Sequence, residues 1–376
     1  MRKRRVARTV LWAAMALCLC FAGAGCKQKG PARNAKPAEV IKTVAAKLFP
    51  VRQGNKWGFI DDTGRMIIVP QFDDVRPYTG EPSAIRVGKH YGFVDQTGRM
   101  VIPPQFQIAL GFSEGLALVI NDAGNAGFIN FAGKYVLPPS YFGGGSFSEG
   151  RAFVALQQKT ITSEAPLQWS PTGFVRGKAT EKVTQEAKFG CIDKSGKRIS
   201  QDLYDEVDRF QEGLSAVKVN RLWGFMNLAG TMIIPLQFDD ARHFSEGRAA
   251  VKIGKKWGFI NKTGSAFISP EFEEAGDFSK GLAPVRIGGK WGYVDEGGKM
   301  QISARYESAS RFSENLAAVR IGRKWGYVDR TGKAVIEAQF DKAADFSNGL
   351  AEIQTGKTMG YIERSGKTIW PIKTGP

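Results

Sequence analysis

Five aspartates occupy one position of a recurring pattern: Asp61, Asp95, Asp193, Asp295 and Asp329. Paired carboxylates hydrolyse glycosides, one as acid and the other as base or nucleophile. Here Asn130, Asn227 and Asn261 hold the same position in other copies. An amide loses acid–base chemistry but still accepts backbone N–H bonds at a turn. The acidic ladder therefore reads as turn chemistry. A second ladder is basic. Lys56, Lys89, Lys255, Lys290, Lys324 and Lys357 lie in the turn before an aromatic-glycine pair. Stacked copies align such lysines, which then face phosphate-bearing lipids or polymers or simply form a solvated face that protects strand edges. Lys255, Lys290 and Lys324 are the candidate contacts in this ladder.

Other chemistry is sparse. There are 2 His and 4 Cys, and three of the cysteines (Cys18, Cys20 and Cys26) precede residue 27. A disulfide-stapled scaffold and a Cys/His zinc site are excluded, and no metal or cofactor is expected. His90 and His243 stand at unrelated positions, with no Ser-His-Asp pattern and no phosphate loop. Cys191 stands where other copies carry Phe or Tyr, as a buried, inert thiol would.

These residues are carried by a copied unit. Trp57-Gly58-Phe59, Tyr91-Gly92-Phe93, Ala126-Gly127-Phe128, Phe189-Gly190-Cys191 and Trp223-Gly224-Phe225 share a signature. It continues in Trp257-Gly258-Phe259, Trp291-Gly292-Tyr293, Trp325-Gly326-Tyr327 and Met359-Gly360-Tyr361. Successive spacings are 34, 35, 63, 34, 34, 34, 34 and 34 residues. A fixed period of this size marks a repeat architecture. Within one copy, Trp257–Asn261, Ala266–Phe272 and Leu282–Ile287 read as short strands. The turns Asn261-Lys-Thr-Gly264 and Phe278-Ser-Lys-Gly281 separate them, each closed by a Gly at φ > 0. Asn315 replaces that Gly in Phe312-Ser-Glu-Asn315, and Asn is the side-chain-bearing residue that best tolerates such a φ.

The chain is thus expected to be all-β, an open β-solenoid or superhelix of roughly three-stranded 34-residue units, with a closed β-propeller as the alternative. Leu48–Gly54 matches the third strand of a copy and the C-terminus supplies only the first two, which suits either arrangement. The recurring Trp-Gly tryptophans are expected in the core, as a packed stack requires. Trp169 and Trp370 fall outside the signature and are candidates for exposed binding platforms.

Residues 157–188 form an insert between the third and fourth signatures. Repeat proteins place insertions in loops on one face. The insert lacks His, and its acids are Glu164, Glu181 and Glu186.

Residues 2–8 hold five basic residues, and residues 9–26 carry no charge. This is the plan of a secretory signal. Gly23-Ala24-Gly25-Cys26 resembles the lipobox of bacterial lipoproteins, which implies a signal over 1–25 and acylation of Cys26. Removal of the signal lowers the formal charge from +17 to +12. Lys27 rather than Asp follows the cysteine, which favours the outer over the inner membrane. Residues 26–46, rich in Lys, Ala and Pro, read as a flexible tether, and 47–376 as the repeat domain.

Lys56-Trp57-Gly58-Phe59-Ile60-Asp61 with Pro70-Gln-Phe-Asp73 downstream resembles the WG repeat of bacterial proteins, over about residues 48 to 371. That resemblance implies a scaffold common in secreted or surface proteins and no catalytic residues. The expected function is a non-enzymatic, membrane-anchored cell-envelope scaffold that binds a protein, glycan or envelope polymer. The alternative is an envelope hydrolase with its site in the 157–188 insert. Nucleic acid is not an expected partner, because the signal directs the chain out of the cytoplasm.

Overall fold

The computed structural model describes residues 47–371, apart from 79, 163–166, 171–172 and 177–182; side chains of 158–186 and of 371 are outside the description. The signal expected at 1–25, Cys26 and the tether at 26–46 lie outside the described residues.

Every regular element in the described residues is a β-strand, so the chain is an all-β repeat protein. Seven sheets are four-stranded antiparallel meanders whose spatial order follows the sequence. Unit 6 is typical, with strands Asp240–Ala241, Arg248–Ile253, Lys256–Asn261 and Ala266–Phe272. Counting each Gly-aromatic signature as one unit gives units 1 to 9. The sequence pattern had predicted three strands per unit. The fourth is the two-residue strand that opens each of these seven sheets, too short to carry any alternation.

Two turn types repeat. In Asn261–Gly264 the Gly264 N–H donates to the Asn261 carbonyl at 2.9 Å with Gly264 at φ +83°. In Ser113–Leu116 the two end residues exchange both backbone bonds, at 2.9 and 3.1 Å. Glu114 (φ 54°) and Gly115 (φ 83°) form its centre, the type I′ geometry that matches strand twist. Asn315 is at φ 69°, as its substitution for Gly implies. The left-handed Glu is unusual for a residue with Cβ. It recurs at Glu149, Glu212, Glu246 and Glu314. Each of these carboxylates accepts a backbone N–H from the next unit, for example Glu212 from Gly247 at 2.9 Å. A bond between units thus offsets a local strain.

The core lies between successive sheets. Phe259 of unit 6 meets Phe278 of the following turn edge-on, with ring centroids 4.9 Å apart. Phe93–Phe112, Phe128–Phe147, Phe225–Phe244, Tyr293–Phe312 and Tyr327–Phe346 repeat this pairing at 4.8 to 4.9 Å. Of the Trp-Gly tryptophans expected in the core, Trp223 and Trp257 are buried in the same layers, whereas Trp57, Trp291 and Trp325 are partly buried and pack against theirs. Unit 4 alone has Cys191 at the ring position. Phe153 fills the space instead, stacked on Phe210 at 5.5 Å with the rings parallel to within 1°. Burial pushes the Cys191 thiol up to about 11, which keeps it protonated and unreactive at neutral pH.

No sheet closes into a barrel, and the units follow one another in series. Neighbours touch through the turn glycine. A Cβ on Gly264 would lie 3.0 Å from Ile234 of the preceding unit, and one on Gly366 would lie 3.4 Å from Ile336. A Cβ on Gly64 of unit 1 would meet Ile369 of unit 9, nearest its carbonyl oxygen and 3.2 Å from its Cγ2. Phe49 and Tyr361 also meet edge-on there, at 5.5 Å.

Candidate functional site

Unit 4 departs most from its neighbours. Its central strands run Arg151–Thr162 and Val183–Asp193, paired from Arg151↔Asp193 out to Thr162↔Val183. The insert expected as a loop decoration therefore begins and ends as a two-stranded ribbon that prolongs the unit. Within it, Leu167–Ser170 pairs with Gly173–Arg176. Trp169 lies on that hairpin, opposite Phe174, and its side chain is outside the description.

At the other end of the same strands is an open cavity of about 650 Å3. Gly145, Ser146, Phe153, Phe189, Asp208 and Arg209 line it. Its origin can be read by comparing copies. Where unit 4 has Gly145, other units have Arg76, Leu110, Asp208, Arg242, Gly276, Ser310 and Ala344. The arginines are informative: Arg76 lies 5.9 Å from the centre of the Tyr91 ring and Arg242 lies 5.6 Å from that of Trp257. Phe189 is the equivalent ring in unit 4. No atom would lie within 4 Å of a Cβ on Gly145, whereas in the other glycine unit Pro284 fills the space at Gly276, 2.7 Å away. Ala155, opposite Phe189 in the strand pair, stands where six copies carry a long cation (Arg52, Arg86, Lys218, Lys252, Arg286 and Arg320), unit 3 has Ile120 and unit 9 has Gln354; it is buried beside Phe189 and is not part of the cavity lining. Two truncations and a smaller ring thus coincide in one unit.

The walls carry both charges. Asp208 accepts from the Arg209 backbone N–H at 2.7 Å, and its other oxygen lies 3.2 Å from His243 Nδ1. The His243 contact helps to hold the Asp208 carboxyl below its ordinary range against the opposing effect of burial. Glu206 Oε1 pairs with Lys218 Nζ at 2.6 Å. Arg151 is spent on carbonyl oxygens of Leu228 and Gly150, at 2.8 and 3.0 Å.

The family described as WG containing repeat matches residues 57–88, 91–123, 127–159, 189–223, 223–257, 257–291, 291–325 and 325–358. The chain belongs to this family. The Met359-Gly360-Tyr361 copy follows the last matched WG repeat. No curated protein matches. Among solved structures, BamB from Moraxella catarrhalis is similar at 9% identity and TM-score 0.39, over 76% of this chain and 92% of that one. Hsv2p from Kluyveromyces lactis is similar at 13% identity and TM-score 0.35, over 48% and 70%. PorZ from Porphyromonas gingivalis is similar at 9% and 0.32, over 79% and 44%. Likeness at this level carries no argument.

The other expected site residues fall on the WG repeats as follows. The acidic ladder is spent on turns: Asp61 Oδ1 accepts the backbone N–H groups of Thr63 and Arg65, both at 3.0 Å, and Asn261 does the same for Thr263 and Ser265, at 3.0 and 3.1 Å. Part of the basic ladder is matched by a second set of acids. Lys290 pairs with Glu307 at 2.9 Å and Lys324 with Asp341 at 2.6 Å; Lys56 and Lys188 pair likewise with Asp73 and Asp205. Lys324 and the Gly356 N–H hold the Asp341 carboxyl below its usual range. Lys255 stands one residue earlier in its turn. It is exposed and makes no salt bridge among the described residues. Trp370 is half-buried and packs with Phe49, Ile60 and Tyr361. It pairs with Tyr361 as Ile268 pairs with Phe259, so it occupies a core position of the WG repeat.

Proposed function

We propose that this WG-repeat protein is a non-enzymatic binding scaffold of the cell envelope, held to the membrane, outer rather than inner, through lipid on Cys26. The basic segment 2–8, the uncharged run to Cys26 and the residue after it support the anchoring. The open cavity of unit 4, beside a ribbon that no other unit carries, supports the binding role and is the observation on which it rests. Phe189, the ring of unit 4, lines this cavity, and Gly145 stands where units 2 and 6 place an arginine over the ring. The partner is an envelope protein, glycan or polymer.

The test uses immobilised full-length protein and solubilised envelope fractions, with hydrolysis of glycan substrates assayed in parallel. Saturable retention of one component without turnover is the expected result. Turnover that disappears in Glu164→Gln, Glu181→Gln or Glu186→Gln would replace the scaffold reading with the hydrolase one.

A further inference from the structure

We infer that the unit 4 cavity is a slot for an arginine side chain presented by a protein partner. This rests on the reading of the chain as a binding scaffold, and it names what the scaffold takes.

The chain supplies its own image of the occupant. In units 2 and 6, Arg76 and Arg242 extend from the position of Gly145 and place a guanidinium 5.9 and 5.6 Å from the centres of Tyr91 and Trp257. A flat, weakly hydrated cation over an aromatic face is a favourable contact there. Unit 4 keeps the ring, as half-buried Phe189, and removes the arginine. The space left is about 650 Å3, within the ordinary range of a ligand pocket. Two carboxylates, Glu206 and Asp208, stand on its wall. Only one oxygen of Glu206 is taken, by Lys218, and the second is available to a fork of N–H donors. Of the two arginines at the cavity, Arg151 is held by backbone carbonyls and Arg209 is exposed at the rim. An inorganic anion would meet both carboxylates, and a hydrocarbon chain would strip water from four charged groups; neither suits this lining.

The probe is the tripeptide acetyl-Gly-Arg-Gly-amide, titrated into the full-length protein by calorimetry. The control peptide carries citrulline, which has the same shape without the charge. The arginine peptide should bind at least about tenfold more tightly than the citrulline peptide, a difference of about 1.4 kcal/mol. Gly145→Arg, which rebuilds the arrangement of units 2 and 6, should abolish binding. Gly145→Leu, which copies Leu110 of unit 3, should do so as well and guards against misfolding of the first variant. Equal binding of both peptides, binding of neither at millimolar concentration, or unchanged binding in both variants overturns the slot. So does binding of maltotriose at this position in place of the arginine peptide. Retention of an envelope component that persists in Gly145→Arg would overturn the slot while leaving the scaffold reading in place.

Discussion

The Tyr361 hydroxyl donates a hydrogen bond to the Pro50 carbonyl oxygen at 2.9 Å, across 311 residues of sequence. With Phe49 against the Tyr361 ring and Ile369 against Gly64, it joins the last unit to the first. Tyr361→Phe removes the bond and keeps the ring. It should cost about 1 kcal/mol, the usual net value of such a bond. Hydrogen exchange reads the effect locally: amides of residues 49–60 should exchange faster in the variant, and those of units 5 to 7 should not. Unchanged exchange at 49–60 would mean that the ends do not hold each other in solution.

The glycine of the signature has a cause that differs from that of the turn glycines. Gly258 is not left-handed. A Cβ there would lie 2.5 Å from the Ile268 carbonyl oxygen and 2.7 Å from the Pro270 nitrogen. The bulged fourth strand is pressed backbone to backbone on the third. Gly258→Ala should therefore destabilise by about 1–3 kcal/mol through overpacking that no rotamer relieves. At Gly190 the nearest atom belongs to the flexible Leu156 side chain instead. Gly190→Ala should cost distinctly less. Urea midpoints of the two variants make the comparison, and equal losses would refute the backbone explanation.

Much of the fold was legible because turns announce themselves. Asn261 and Gly264, or Ser313 and Asn315, name both the position and the backbone angle required, and the period follows from counting between them. The two-residue strands, such as Asp240–Ala241, were not legible: they are held by neighbours and carry no pattern of their own. The left-handed Glu114 was hidden for the same reason, since the bond that offsets its strain comes from Gly150 in the next unit. Trp370 was misjudged as outlying because its copy has Met359 for Trp and ends early; only strand pairing shows that it stands at the Ile268 position. For the candidate site, residue types at positions 145, 155 and 189 were readable. That Gly145 and Phe189 border one space while Ala155 is buried outside it is a fact of side-chain packing.

Trp257 and Trp169 should respond differently to truncation. Trp257 is 7% exposed and packs with Ile268, Phe272 and Val285. Trp257→Ala should cost about 3–5 kcal/mol, the range for deleting a buried Trp. Trp169 sits on the hairpin of the ribbon, outside the repeating layers, so Trp169→Ala should cost about 1 kcal/mol or less. Because units contact their neighbours in series, the first variant should also broaden the urea transition and open a cleavage site near residue 257 to protease. Equal midpoints would place the Trp-Gly tryptophans in solvent and make them binding platforms.

His243 should give the fold a pH dependence. Its Nδ1 lies 3.2 Å from Asp208 of unit 5 and its Nε2 lies 3.3 Å from Asp277 of unit 7, so one imidazole ties three consecutive units. The ring is half-buried, and Arg209 opposes its charge from unit 5. The Asp208 contact raises the pKa above the ordinary 6.5, and Asp277 adds to this against burial and Arg209. A folded-state value above the unfolded one means that the folded chain binds the extra proton. The resulting stability is fully present below about pH 6.5 and is lost as the pH rises through the raised value. The melting temperature should thus fall between about pH 6 and pH 8 in the wild type by more than in His243→Gln, since the glutamine keeps a hydrogen bond but cannot charge. Asp277→Asn should reduce the same difference, because one of the two carboxylates that favour the imidazolium is gone. A wild-type slope no steeper than that of His243→Gln would show that folding does not raise the imidazole pKa and that the three units are joined by packing alone.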